Sequence, residues 1–163
     1  MTAVSTPTID ATDWGLLEAL QENARLTFAE LGRRVSLSPA AVAERVRRLE
    51  ETGILRGYHA ELDLVALGVP MQAMIRITTS SSTECTTHGH RLAEVPEVLE
   101  AQRVTGTDSY IARVAVRSME HLEDLLTRIA PHNGDTFTAM VLSTPVRSRI
   151  VNRKLVNGES QPR

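Results

Sequence analysis

Glu44-Arg45-Val46-Arg47-Arg48 sets three guanidinium groups and one carboxylate in a single short run, and Arg33-Arg34 lies just upstream. Arginine presents a planar fork of N–H donors that matches a phosphate or the acceptor edge of guanine, and a neighbouring glutamate accepts from the amino group of cytosine. The chain as a whole carries a formal net charge of -2, so this concentration of cations is local. Residues 25–60 hold seven arginines against four glutamates, residues 69–145 six arginines against nine acids, and residues 146–163 five bases against one acid. A basic segment, an acidic body and a basic tail imply that one part of the chain meets a polyanion while another part has a different task.

The elements that must position these groups follow from spacing. The apolar positions Trp14, Leu17 and Leu20 predict a helix over residues 13–22 with these three facing inward. Thr27-Phe28-Ala29-Glu30 has the spacing of a capping box, so a second helix starts at Phe28, presents Leu31 and Val35, and stops by Ser36. Ser38-Pro39 is a helix-start pair, because proline lacks the N–H that would be unpaired at the first helical position. The third helix runs to about Thr52, where Gly53 offers a left-handed stop. Two helices joined by so short a turn, after a first helix, outline a helix-turn-helix. Residues 54–64 suit a strand or wing leaving that unit, and residues 65–70 a hinge.

On the third helix, Val42, Val46 and Leu49 share one narrow stripe, which is the core side. Ala40, Glu44, Arg47 and Glu51 lie opposite, Ala41 and Arg48 on one shoulder, and Arg45 nearer the core edge. Charge alone would equally suit a solvated face with pairs such as Glu44-Arg48. The helix-turn-helix spacing decides for a surface that approaches the DNA major groove: Ser38, Ala40 and Ala41 are small enough to let the helix come close, Glu44, Arg47 and Arg48 read or neutralise, Arg45 makes phosphate or structural contacts, and Arg33 and Arg34 meet phosphate.

Beyond the hinge the pattern becomes strand (71–79), helix (84–94), strand (98–104), the tight connection Thr105-Gly106-Thr107-Asp108-Ser109, strand (110–116), a helix capped by Ser118, and a last strand (136–143). This is the split β-α-β-β-α-β arrangement, in which helices cover one face of the sheet and the other face needs a partner. The expected domains are therefore a mobile arm (1–12), a DNA-binding unit (13–64), a hinge (65–70), an oligomerisation domain (71–145), to which the resemblance below adds effector binding, and a basic tail (146–163) that is solvated or touches DNA or a partner.

The stretch ELGRRVSLSPAAVAERVRRLEETGILRGYHAELD resembles the helix-turn-helix of the Lrp/AsnC (feast/famine) transcription regulators, in its Leu-Ser-Pro turn, its Glu-Arg-Val-Arg-Arg-Leu-Glu core and its Gly-Ile-Leu-Arg-Gly-Tyr exit. The resemblance extends over about residues 12–151. It implies an α+β chain, an N-terminal winged helix-turn-helix joined to a ferredoxin-like (RAM/ACT-like) domain, that binds double-stranded DNA, dimerises and assembles to tetramers or octamers, and needs no cofactor. Ser36 stands where the family usually has glycine, at a cost of about 1 kcal/mol if its backbone is left-handed. The resemblance also implies an effector, commonly an amino acid, between subunits at the connection of the second and third strands. There the usual Gly-Asp-aromatic-Asp is replaced by Gly106-Thr107-Asp108-Ser109. Thr105 to Ser109 are the expected site, with loop N–H groups for a carboxylate and Asp108 for an ammonium; the same residues also suit an ordinary hairpin turn. Thr136 and Thr138 are further contacts by resemblance.

Two rival readings share this architecture: an enzyme like the siroheme decarboxylases, which look like this family, and an amino-acid-sensing module acting through protein partners. An arginine-rich recognition helix would have no purpose in the first. Nothing resembles a phosphate loop or a nucleophile motif. Cys85, His88 and His90 have ligand-like spacing, but helical positions two apart diverge and zinc wants a fourth ligand, so no metal is expected. His59, His121 and His132 are scattered. A single cysteine, no apolar run of membrane-spanning length and no signal-like start lead to the expectation of a cytoplasmic protein without a disulfide framework.

Overall fold

The computed structural model describes residues 8–131, 134–146 and 149–158. The first seven residues of the expected arm, His132 and parts of the basic tail lie outside the described residues. The chain forms two compact units, Met1–Glu61 with Val146–Arg163, and Leu62–Pro145. No described helix is long and apolar enough to cross a membrane.

In the first unit, α1 (Ala11–Glu22), α2 (Phe28–Val35) and α3 (Pro39–Glu51) enclose Leu16, Ala19, Leu20, Leu31, Val42 and Val46. α1 begins earlier than periodicity places it, because Asp10 caps it in a reciprocal box: the Asp13 N–H donates to Asp10 and the Asp10 N–H to Asp13. With that start Leu16 takes the deepest position, and Trp14, expected inside, is half-buried. The Thr27/Glu30 box opens α2, and Ser38 with Pro39 opens α3. Ser36 sits at φ 57°, the left-handed region that disfavours a Cβ. Ser36→Gly is therefore expected to stabilise this unit by about 0.5 to 1 kcal/mol, seen as a higher urea midpoint in Trp14 fluorescence.

Gly53 (φ 71°) ends α3 as expected, but residues 54–64 form no strand. The segment is exposed apart from the half-buried Ile54, Leu55 and Leu64, and has no strand partner among the described residues. It is held by the Leu55 N–H, which donates to the Leu49 carbonyl at 2.9 Å, and by Tyr58, whose hydroxyl donates to Glu50 at 2.8 Å. The expected wing is thus an irregular return. The tail also departs from a solvated terminus. Gln21 clamps Val151 through both atoms of its amide (2.9 and 2.8 Å), the Arg153 N–H reaches Glu18 at 3.4 Å, and a short helix, α6 (Arg153–Val156), follows.

The second unit runs β1 (Met71–Ile77), α4 (Ser82–Ala93), β2 (Val98–Arg103), β3 (Tyr110–Val116), α5 (Met119–Ile129), β4 (Thr136–Met140). The antiparallel sheet has the order β2-β3-β1-β4. Ala73, Ile75, Ile77, Ala112, Val114 and Val116 face Cys85 and Leu92 of α4 and Leu122, Leu125 and Ile129 of α5. Ser81 and Ser118 cap these helices. β4 stops short of the expected Ser143, since Val141 N–H, bonded to Gln72, is its last tie to the sheet.

Glu97 fastens α5 to the entrance of β2, accepting from Arg128 and lying 2.8 Å from His121 Nε2. The Arg128 guanidinium, then His121, hold its carboxyl at about 2, far below the usual 4.5. A carboxyl depressed in the folded state stabilises above its unfolded pKa and loses that contribution as pH falls toward the folded one. Up to about 3 kcal/mol of this unit's stability is expected to disappear between pH 5 and 2 in chemical unfolding, and Glu97→Gln should flatten that pH dependence.

Candidate nucleic-acid interface and effector loop

α3 offers its N-terminus and one full face. Ser38 accepts the Ala41 N–H at 3.3 Å, which fixes the first turn. Val42, Val46 and Leu49 are buried, Ala40, Glu44, Arg47 and Arg48 are exposed, and Ala41 and Arg45 are half-buried. The helical projection is therefore reproduced residue by residue.

What the projection does not contain is the set of partners that the arginines find. Arg47 lies between two carboxylates of its own helix, donating to Glu44 at 2.7 and 3.3 Å and to Glu51 at 2.7 Å. Glu44's carboxyl is lowered by that hydrogen bond and charge, and Arg47's pKa is raised correspondingly. All three side chains are more than half exposed (59%, 67%, 59%), so these pairs are weak and readily exchanged.

Arg45 and Arg48 instead converge on α1. Arg45 Nη1 donates to Asp10 at 2.6 Å and to Asp13 at 2.9 Å, and Arg48 Nη2 donates to Asp13 at 2.7 Å. The Asp13 side chain is 1% exposed. Hydrogen bonds first from Asp13 N–H and then from Arg45 lower the Asp10 carboxyl. Sequence reasoning missed Asp10 and Asp13. Two signals were available: the Asp-x-x-Asp spacing of a capping box, and an acid on the inward face of an apolar helix, which requires a buried partner. Of the α2 pair, Arg34 bonds Glu22 at 2.9 Å, and Arg33 is exposed with no hydrogen bond or ion pair among the described residues.

The loop after β2 gathers at the end of β1. Ser109 N–H donates to the Ile77 carbonyl at 2.7 Å, and its hydroxyl lies 2.9 Å from that of Thr79. Ile77 pairs with Tyr110 on one side and Thr136 on the other, and Ile75 with Thr138, so Thr136 and Thr138 approach the same end of β1 from the opposite edge. Thr105, Gly106 (φ 113°) and Thr107 are exposed. Asp108, expected to be open to an ammonium, already holds a cation: Arg76 grips it through Nε and Nη2 at 2.9 and 3.2 Å and lies 5.5 Å over the Phe137 ring. An incoming ammonium must share that carboxylate with the guanidinium or displace it. A depression of about 390 Å³ runs along α4 between Ser80 and Arg91, and Thr105 to Ser109 are not among its walls. Cys85 and His88 are buried while His90 is exposed, and the described residues contain no group of three metal-ligating side chains.

Comparison with known proteins places both halves. An AsnC-type helix-turn-helix domain matches residues 9–50 and an Lrp/AsnC ligand binding domain residues 72–151. The chain is 40% identical over 145 residues to the HTH-type transcriptional regulator Rv2324 of Mycobacterium tuberculosis, covering 89% of this chain and 96% of that one. It is 38% identical over 136 residues to the HTH-type transcriptional regulator YezC of Bacillus subtilis, covering 83% and 95%. Among solved structures, the feast or famine regulatory protein Rv3291c of M. tuberculosis complexed with L-methionine superposes with a TM-score of 0.81 at 35% identity, over 88% of this chain and all of that one.

Proposed function

The chain belongs to the Lrp/AsnC family of transcription regulators, and from that premise we propose that it reads specific DNA sites through α3 under the control of a small-molecule effector. The observation that carries this reading is the division of α3 into a buried Val42-Val46-Leu49 stripe and an outward face of small residues, Glu44 and arginines. In this reading residues 13–64 are the DNA-binding domain, 65–70 the hinge and 71–145 the effector and assembly domain. Ser38, Ala40, Ala41, Glu44 and Arg47 face the bases, Arg33 and Arg34 meet phosphate, and Arg45 and Arg48 complete the surface from its α1 side. The sheet face opposite α4 and α5 carries Phe137, 62% exposed, and joins two copies. The resulting homodimer presents two α3 helices to half-sites about one helical turn, or a multiple of it, apart, and builds tetramers or octamers.

The effector is an amino acid, a class supported by the L-methionine complex of the related Rv3291c. It is held at a subunit interface by Thr105 to Ser109, Thr136 and Thr138, and acts by binding two assembly states unequally. The protein works in the cytoplasm as a regulator and not as a catalyst. Genomic mapping of bound DNA tests this: enriched sites with a regular half-site spacing are the expected result, with a colourless purified protein whose binding weakens steeply in salt. A haem-coloured protein, or no enriched site under any nutrient condition, overturns it.

A further inference from the structure

The arginines of α3 fall into two classes, and Arg48, which the sequence groups with Arg47, joins Arg45 at the buried Asp13. Arg47 is bound only by exposed glutamates, which a DNA base or phosphate can replace at little cost. Arg45 and Arg48 are bound by Asp13, whose carboxylate is 1% exposed and accepts from both guanidinium groups and from the Asp10 N–H. A carboxylate removed from solvent is poorly screened, and leaving it without its cations is costly, so phosphates do not strip both arginines from it. Asp10 and Asp13 against Arg45 and Arg48 make an electrically balanced quartet on the α1 side of the recognition helix.

We propose that Asp13 is a specificity-determining residue of DNA recognition: by holding Arg45 and Arg48 at 2.7 to 2.9 Å it withholds two cations from indiscriminate phosphate contact. Non-specific binding rests almost wholly on phosphate contacts, whereas docking on a target is fixed by base contacts. An arginine freed on the α1 side finds phosphates in the many non-specific dockings more readily than in the target's single one, so withholding it raises the ratio of specific to non-specific affinity. The inference rests on the DNA-binding reading above.

The test is titration of the full-length protein with a mapped target duplex and with a random duplex across a salt series. Asp13→Asn keeps the side chain's shape and removes its charge. Its expected effect is several-fold tighter binding to random DNA and a logarithmic salt slope steeper by about 0.9 to 1.8, one increment per freed arginine, with a smaller gain on the target. Adding Arg48→Gln to Asp13→Asn should take back one increment. A purely structural role for Asp13 gives weaker binding to both duplexes with no steeper slope, and that result overturns the proposal. Should Asp13→Asn not fold, Asp10→Asn decides, since asparagine is an equal helix cap and the change removes only Arg45's second carboxylate. With Asp13 still holding both guanidinium groups, the proposal expects an unchanged slope, and a slope steeper by a full increment of about 0.9 shows that Asp10 rather than Asp13 withholds Arg45 and overturns it. Wild-type protein that binds neither duplex refutes the DNA-binding reading itself.

Discussion

Gly32→Ala is expected to abolish DNA binding while leaving the unit of residues 62–145 folded. A Cβ on Gly32 would lie 2.4 Å from the Leu37 carbonyl oxygen and 3.6 Å from Val42 Cγ2. The carbonyl cannot retreat, because the same turn is tied by the Leu37 N–H to the Gly32 carbonyl at 2.9 Å and by the left-handed Ser36. The joint between α2 and α3 must open, at a cost of about 2 to 4 kcal/mol. That is a large part of what a unit with so few core side chains has to lose. Trp14 is the chain's single tryptophan and lies in this unit, so its fluorescence follows the helix-turn-helix alone. The expected record is a lower Trp14 unfolding midpoint with the far-UV strand signal retained and anisotropy titrations flat. A variant with native Trp14 stability and full affinity would show that the turn has slack enough to admit the extra methyl group.

Arg47→Ala separates binding from stability. The side chain packs against nothing in the core, and its two partners are exposed glutamates, so unfolding midpoints should shift by no more than about 0.5 kcal/mol. Affinity for the target site should fall by about 1 to 3 kcal/mol, roughly five- to 150-fold, as expected for a lost guanine contact. The sign can be reversed from the same geometry. Glu51→Gln removes a carboxylate that competes for Arg47 at 2.7 Å, so it should tighten binding modestly. Equal affinity of Arg47→Ala and wild type for the target would remove α3's outward face from the interface. Random-sequence DNA is the control in both experiments, because a lost base contact lowers affinity for the target far more than for the control duplex.

Much of this molecule is written in local spacing. The Thr27/Glu30 box, the Ser38-Pro39 start, the left-handed Gly53 and the cap at Ser118 depend on atoms within four residues of one another, and each appears where the residues place it. The Val42-Val46-Leu49 stripe and the alternation of β3 follow from one dihedral period each, so buried and exposed faces were legible as well. The Gly-Thr-Asp-Ser loop was recognisable as a connection, but the occupation of its aspartate by Arg76 was not, since that arginine comes from a strand 32 positions earlier. The wing failed for the complementary reason: residues 54–64 have strand-like composition, and a strand also needs a neighbour, which composition cannot supply.

The sequence by itself therefore determined the helices, the strands, their order, the family and the identity of the arginine-rich face. Tertiary structure alone decided which of those arginines are already spent. Arg45 and Arg48 meet Asp13 across separations of 32 and 35 residues, and Gln21 meets Val151 across 130. Such pairs exist only once α1 has packed against α3, and against the tail, because a side chain's charge is fixed by its type while its partner is fixed by the shape of the folded chain.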